Sequence, residues 1–206
     1  MIMKLFGTVK SRAFRCLWLI EELGIDCEFV EIDFAKGDHR KPEFLQVNPN
    51  GKVPAFQDGD LKLFESAAIC QYLVSKVPDS KMIPKGDKER AIFDQWMFFV
   101  MSELEQPLWT MGKHTFALPA EHRVEAVKKT ALYEWNKALA IVDSRLGDEG
   151  YILGNEFSLV DIMIGQTLQW ARMFKIELEG QKINAYRSRV LERPSFQRTV
   201  EKYVKK

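Results

Sequence analysis

Cysteine is scarce in this chain: three in 206 residues, at Cys16, Cys27 and Cys70, with no C-x-x-C pair. An odd count at that spacing supplies neither a disulfide framework nor a zinc ribbon. Histidine is equally thin, and His39, His114 and His122 do not stand at metal-ligand spacing with other plausible ligands. A reduced protein with no metal is expected. An excess of one charge is also missing: 30 basic residues against 29 acidic leave a formal charge of +1. That argues against a polyelectrolyte partner, since phosphate-backbone binding normally shows as a basic patch or stripe. The densest basic run, Lys202 with Lys205 and Lys206, reads as a frayed, solvated tail. No apolar run approaches the ~18 residues of a membrane span. Residues 1–6 lack the long apolar core and cleavage site of a secretory leader and read as a strand that begins the fold. The expectation is a cytoplasmic protein with no nucleic-acid or membrane partner.

Apolar and aromatic residues are plentiful, at 46% and 12%, enough to bury a core in one large domain or two small ones. Over the first 76 residues strand and helix signals alternate. Residues 3–6 form a short apolar strand. Ser11 can cap a helix running through Phe14, Leu17, Trp18, Ile20 and Leu23 until Gly24 stops it. Residues 27–34 alternate with period two, the mark of a half-buried strand. Residues 42–47 read as a short helix. Residues 53–57 and 61–64 flank Asp58-Gly59-Asp60 as a hairpin, and a helix follows over 65–76.

Residues 77–86 carry two prolines and a glycine and read as a linker. Everything beyond is helical in pattern. Residues 87–112 form a long apolar-aromatic helix. The next helix sets Val124, Val127, Ala131, Trp135, Ala138 and Val142 on one stripe. Ser158-Leu159-Val160-Asp161 opens a third with a capping-box pattern, and its apolar residues run nearly all round, which predicts the centre of a bundle. Pro194 starts a last helix. The expected organisation is an α/β domain over 1–78, a linker over 79–86 and an all-helical domain over 87–206.

One stretch concentrates chemistry. Asn48-Pro49-Asn50-Gly51-Lys52-Val53-Pro54-Ala55-Phe56, followed by Glu65-Ser66-Ala67-Ala68-Ile69, joins a rigid turn, a strand and a charged helix start. Exposed backbone groups beside a carboxylate and a helix N-terminus suit a small peptide-like ligand carrying an amine and carboxylates.

With Ser11-Arg12-Ala13-Phe14-Arg15, Leu19-Ile20-Glu21-Glu22-Leu23-Gly24-Ile25 and Ser158-Leu159-Val160-Asp161, that stretch resembles the cytosolic glutathione S-transferase family, in order and spacing over essentially the whole chain. Lys36-Gly37-Asp38-His39 is similar to the region before the second helix in theta-type members, pointing to a bacterial or theta/nu-like type. The resemblance implies a thioredoxin-like N-terminal domain, an all-α C-terminal bundle and a homodimer. It also implies glutathione as co-substrate, a small apolar electrophile as its partner, and a role in detoxification.

Each site residue acquires an expected role from the resemblance. Val53-Pro54 is expected to be cis, against a base rate of about 5–6% for X-Pro bonds. The Val53 N–H and C=O then pair with the cysteinyl amide of glutathione like an added strand. The Ser66 hydroxyl and first-turn amides hold the γ-glutamyl carboxylate while Glu65 takes the ammonium, although both residue types are also common as ordinary caps. Lys52 and His39 face the glycyl carboxylate; a turn lysine and a surface-loop histidine are the plainer readings.

The catalytic role falls to Ser11. A thiol of pKa about 8.5 is only ~3% thiolate at pH 7, and lowering it by roughly two units gains on the order of 25-fold in thiolate. A hydroxyl donating to sulfur at a helix N-terminus favours the charged form. Ser11 lies within one residue of the family's catalytic Ser or Cys; register counted from residues 21–28 falls on Lys10, so Lys10 and Thr8 stand beside Ser11 as alternatives. No cysteine occupies residues 7–15, and Cys16 reads as core within its apolar helix. Trp96, Phe98, Phe99, Met101, Trp109 and Met111 are the pool for the electrophile site, though helical spacing also suits them to a core. Two other functions share these features: a non-catalytic partner-binding relative, and a glutathione-dependent disulfide reductase.

Overall fold

The computed structural model describes residues 2–147 and 150–205. The chain separates into two compact units, one from the N-terminus through Ile83 together with the chain from Leu191 onward, the other Pro84–Val190.

The first unit is built on four short strands: β1 (Lys4–Gly7), β2 (Glu28–Glu31), β3 (Ala55–Asp58) and β4 (Leu61–Phe64), in sheet order β2-β1-β3-β4. β1 runs parallel to β2 and antiparallel to β3, pairing Phe6 with Ala55, and β3 pairs antiparallel with β4, Ala55 opposite Phe64. This is the thioredoxin-like mixed sheet that the resemblance implies. Helices α1 (Ala13–Leu23), α2 (Pro42–Leu45) and α3 (Ser66–Ser75) connect the strands and follow the hairpin. A Cβ on Gly7 would sit 2.3 Å from the Cβ of Ala13, so glycine at the end of β1 lets the strand meet the first turn of α1. Every residue of α1 from Ala13 to Ile20 is buried. Gly24, at φ 64°, ends the helix in the left-handed conformation and returns its N–H to Ile20. Asp58 ties the hairpin to α3, accepting from the Tyr72 hydroxyl at 2.8 Å and from Lys76 at 2.7 Å.

The second unit contains α4 (Asp87–Phe99), α5 (Glu105–Gly112), α6 (Val127–Arg145), α7 (Leu159–Met173) and most of α8 (Gln181–Leu191). The expected helix over 87–112 is continuous, but a wider π-helical turn at Val100–Leu104 separates α4 from α5. On α6 the stripe Ala131, Trp135, Ala138 and Val142 is buried as expected. Val124 is 51% exposed because α6 begins only at Val127. Every residue of α7 from Leu159 to Leu168 is buried, matching the expected central helix. Helix α8 has no counterpart in the sequence reading; its mean composition is polar, and only Ile183, Tyr186 and Val190 turn inward.

The C-terminal segment corrects one expectation. Pro194 does open a helix, α9 (Pro194–Thr199), but this helix packs on α1 in the first unit rather than with the helical bundle. Trp18 donates its indole N–H to Ser195 at 3.1 Å, and Phe196 packs edge-on against Trp18 and Phe14. Arg193 and Ser195 both engage Glu22. The basic run is not a frayed tail, because Lys202 pairs with Glu21 at 2.7 Å and Tyr203 packs on Phe29. That pairing pushes the Lys202 ammonium up to about 12. Lys206 lies outside the described residues, as does Met1 at the expected first strand.

Candidate functional site

Strand register carries three sequence-distant segments to one end of the sheet. β1 leads there into the turn at Thr8–Ser11, β3 begins there after Val53-Pro54, and β4 leads there into Glu65 and α3. The residues expected to bind different parts of one ligand therefore share a sheet end.

The turn before β3 is organised by Asn48, which is 1% exposed. Its side-chain amide donates to the Lys52 carbonyl at 2.7 Å, its side-chain oxygen accepts from the Asn50 N–H at 3.0 Å, and its main-chain carbonyl accepts from Gly51. A Cβ on Gly51, whose φ is 63°, would meet the His39 carbonyl at 3.2 Å, so the His39 turn and the Lys52 turn lie side by side. The Val53–Pro54 peptide is cis. Among the described residues the Val53 N–H and C=O take part in no main-chain bond outside regular structure, and Val53 precedes β3.

At the start of α3, Glu65 is exposed and carries φ 69°, ψ 112°, a left-handed conformation rare for a residue with a side chain. Such strain persists where the surroundings hold it and gathers at functional sites. Its carboxylate makes no capping bond to α3. Ser66 follows at the first helical position, 1% exposed, and its hydroxyl oxygen accepts from Arg15 Nη1 at 3.4 Å. The first-turn amides of α3 have no partner further back in the helix, so this N-terminus offers donors to an anion.

Ser11 occupies the turn ahead of α1. Its hydroxyl donates to the Thr8 carbonyl at 2.7 Å and accepts from the Ala13 N–H at 3.1 Å. Thr8 is half-buried and lines a cleft of about 470 Å3 with Glu31, Ile32, Asp33, Phe34 and Asp38, while Lys10 is exposed. His39 sits in a 3-10 turn staked by Asp38, which accepts from the Asp33 N–H at 3.0 Å and pairs with Lys41 at 2.7 Å. The His39 ring packs on Phe34, and its Nε2 accepts from Arg40. A neutral imidazole that accepts at Nε2 carries its proton on Nδ1, and that buried nitrogen has no partner among the described residues. Lys52 is exposed on the turn.

Cys16 and Cys70 are core residues, as expected for Cys16, with sulfurs 3.6 Å apart between α1 and α3. Burial pushes the Cys16 thiol well above its ordinary value, which removes it as a nucleophile. Among the described residues no group of three or more His, Cys, Asp and Glu could hold a metal ion. No described helix is long and apolar enough to cross a membrane. In the helical unit Trp96 and Met111 are core and Phe98 is 73% exposed; Phe99, Met101 and Trp109 are half-buried. Sequence reasoning assigned nothing to Arg15, whose signal was a charge inside an otherwise apolar helix face.

Comparison with known proteins covers both units. The glutathione S-transferase N-terminal domain model matches residues 1–75 and the C-terminal domain model residues 106–194. A glutathione S-transferase of Hyoscyamus muticus is 32% identical over 97% of this chain and 98% of its own. The crystal structure of a glutathione transferase from Methylococcus capsulatus superposes with a TM-score of 0.87 at 31% identity, covering 98% of this chain and 99% of that one. Glutathione S-transferase-I, solved with lactoylglutathione bound, is 32% identical with a TM-score of 0.78, again over 98% and 99% of the two chains. With both domain models matched in order on a sheet whose open end gathers Ser11, Val53 and Ser66, the chain belongs to the glutathione S-transferase family.

Proposed function

We propose that this glutathione transferase ionises the glutathione thiol through the Ser11 hydroxyl and delivers the sulfur to a small apolar electrophile. The observation that carries the reading is the common sheet end at which the Ser11 turn, the unengaged Val53 backbone and the N-terminus of α3 meet. Val53 pairs with the cysteinyl amide, an interaction that places sulfur on the side of the β1–α1 turn. The α3 N-terminus and the Ser66 hydroxyl take the γ-glutamyl carboxylate, and the Glu65 carboxylate takes the ammonium. The glycyl carboxylate falls to the adjacent His39 and Lys52 turns, where the His39 Nδ1–H is a donor awaiting an acceptor.

Ser11 holds its proton on the Thr8 carbonyl. Rotation about the Cβ–Oγ bond redirects that proton to sulfur without moving the oxygen, which keeps its bond from Ala13. The thiol proton passes to solvent, and the thiolate left behind gains a donor and the field of the α1 N-terminus, both of which favour its charged form. The working protein is a cytoplasmic homodimer in this reading; the exposed ring of Phe98 and the half-exposed Phe64 are apolar surfaces that a twofold partner covers.

Calorimetry with glutathione tests the first half: saturable binding is expected, and no heat at millimolar ligand would sink the enzyme reading in favour of a partner-binding relative. Turnover of an aryl halide, a hydroperoxide and a mixed disulfide tests the second half. Conjugation of the halide is expected, whereas activity confined to the disulfide would replace the transferase mechanism with reduction.

A further inference from the structure

The geometry points to Arg15 as a positioning residue for the γ-glutamyl end of glutathione, acting through Ser66, an inference that rests on the reading of Ser66 given above. Arg15 is fully buried and is the only charged residue among those that α1 buries. A guanidinium keeps its charge under all ordinary conditions and donates only, so the fold must surround it with acceptors. Ser66, 51 residues away on α3, is one of them at 3.4 Å. That distance is the long end of hydrogen-bond range, where ligand-site contacts often stand before a ligand tightens them.

The consequence lies in the Ser66 proton. A hydroxyl has one O–H and two acceptor sites. Because Arg15 can only donate, Ser66 must meet it with a lone pair, which leaves the O–H for the other side. Ser66 is the first residue of α3, whose first-turn amides favour an anion. The buried cation thus selects the donor orientation of Ser66. Arg15 stands in the first turn of α1, four residues beyond Ser11 in the turn that leads into that helix, so neighbouring positions serve the carboxylate end and the sulfur end.

The test uses the full chain carrying Arg15→Met and two ligands: glutathione, and the analogue whose γ-glutamyl α-carboxylate is replaced by hydrogen. KM for glutathione is expected to rise about tenfold, the size of one charge-assisted hydrogen bond, with kcat and the pH midpoint of turnover near wild type. Binding of the analogue, measured by calorimetry, is expected to be unaltered by the substitution. Equal losses for both ligands would reduce Arg15 to a packing residue, and an unchanged KM for glutathione would overturn the inference outright. Should Arg15→Met not fold, Arg15→Lys keeps the charge and loses the planar fork; a loss confined to glutathione supports the role and an equal loss refutes it. A wild-type chain that binds neither ligand would refute the reading of Ser66 itself, and this inference with it.

Discussion

Helices α3 and α7 both start on a serine and an acid, and the two starts are opposites. At α7 the acid is three residues beyond the serine and turns back on it. Asp161 accepts from the Ser158 N–H and hydroxyl at 2.8 Å, from the Ile152 N–H at 3.0 Å and from the Tyr186 hydroxyl at 2.7 Å. Asp161 is fully buried; burial pushes its carboxyl above the usual range, against the opposing pull of those donors. At α3 the acid precedes the serine, points to solvent and makes no cap bond, so the helix start keeps its donors free. One start is closed by the chain's own carboxylate and the other is open to a ligand's. The difference teaches that residue type alone does not separate a closed helix start from an open one: the acid three residues beyond Ser158 reaches back to it, whereas Glu65, at the cap position itself, makes no cap bond to α3.

The sharpest way to break that comparison is Asp161→Asn, which turns an acceptor oxygen into a donor facing other donors. Urea unfolding is expected to show a loss of about 3 kcal/mol; a loss below about 1 kcal/mol would mean the closed start is ornamental. Next comes the third start, at α1. Ser11→Ala should lower turnover roughly 25-fold, the gain in thiolate it was introduced to explain, while glutathione affinity by calorimetry stays within about twofold. Retention of the bound-thiolate ultraviolet absorbance in that variant, with its loss in Thr8→Ala, would move the activator to Thr8.

A smaller effect of mixed sign is expected at the open start. Glu65→Gly removes the ammonium's partner, weakening glutathione by about tenfold. It also relieves a left-handed backbone, so stability should rise by about 1 kcal/mol. A fall in stability with unchanged affinity would make Glu65 a structural residue like Asp161. The smallest effect is acid-dependent. Hydrogen bonds from Lys76 and Tyr72 hold the half-buried Asp58 carboxyl below its ordinary value. Their contribution is therefore complete above the unfolded pKa of about 3.9 and is lost as pH falls through the lower folded value. Asp58→Asn should flatten the acid limb of the stability profile in that window.

Much of this was legible in the chain because local patterns state it. The Ser158–Asp161 box, Gly24 at the end of α1, the Asp58-Gly59-Asp60 hairpin and the all-round apolar α7 each depend on residues a few positions apart. The cis Val53–Pro54 bond was legible because the motif around it is contiguous. What escaped depends on partners far away in sequence. Arg15 reads as an odd charge until Ser66 is beside it, and the φ of 69° at Glu65 is not written in its sequence neighbours. Helix α8 escaped for a different reason, since its three inward residues are too few to dominate a polar segment. The basic C-terminal run looked solvated because its acid, Glu21, lies 181 residues upstream.

The seating of α9 on α1 reverses the order in which the chain can be finished. The unit encoded first lacks the cover of Trp18 until Ser195 and Phe196 exist, whereas Pro84–Val190 is complete before them. During synthesis the second-encoded unit is therefore free to consolidate while the first waits, its indole still open to water or to a chaperone. A nascent chain stalled with α9 inside the ribosomal tunnel should show red-shifted Trp18 emission; a native spectrum at that stage would mean α9 only locks a packing already made.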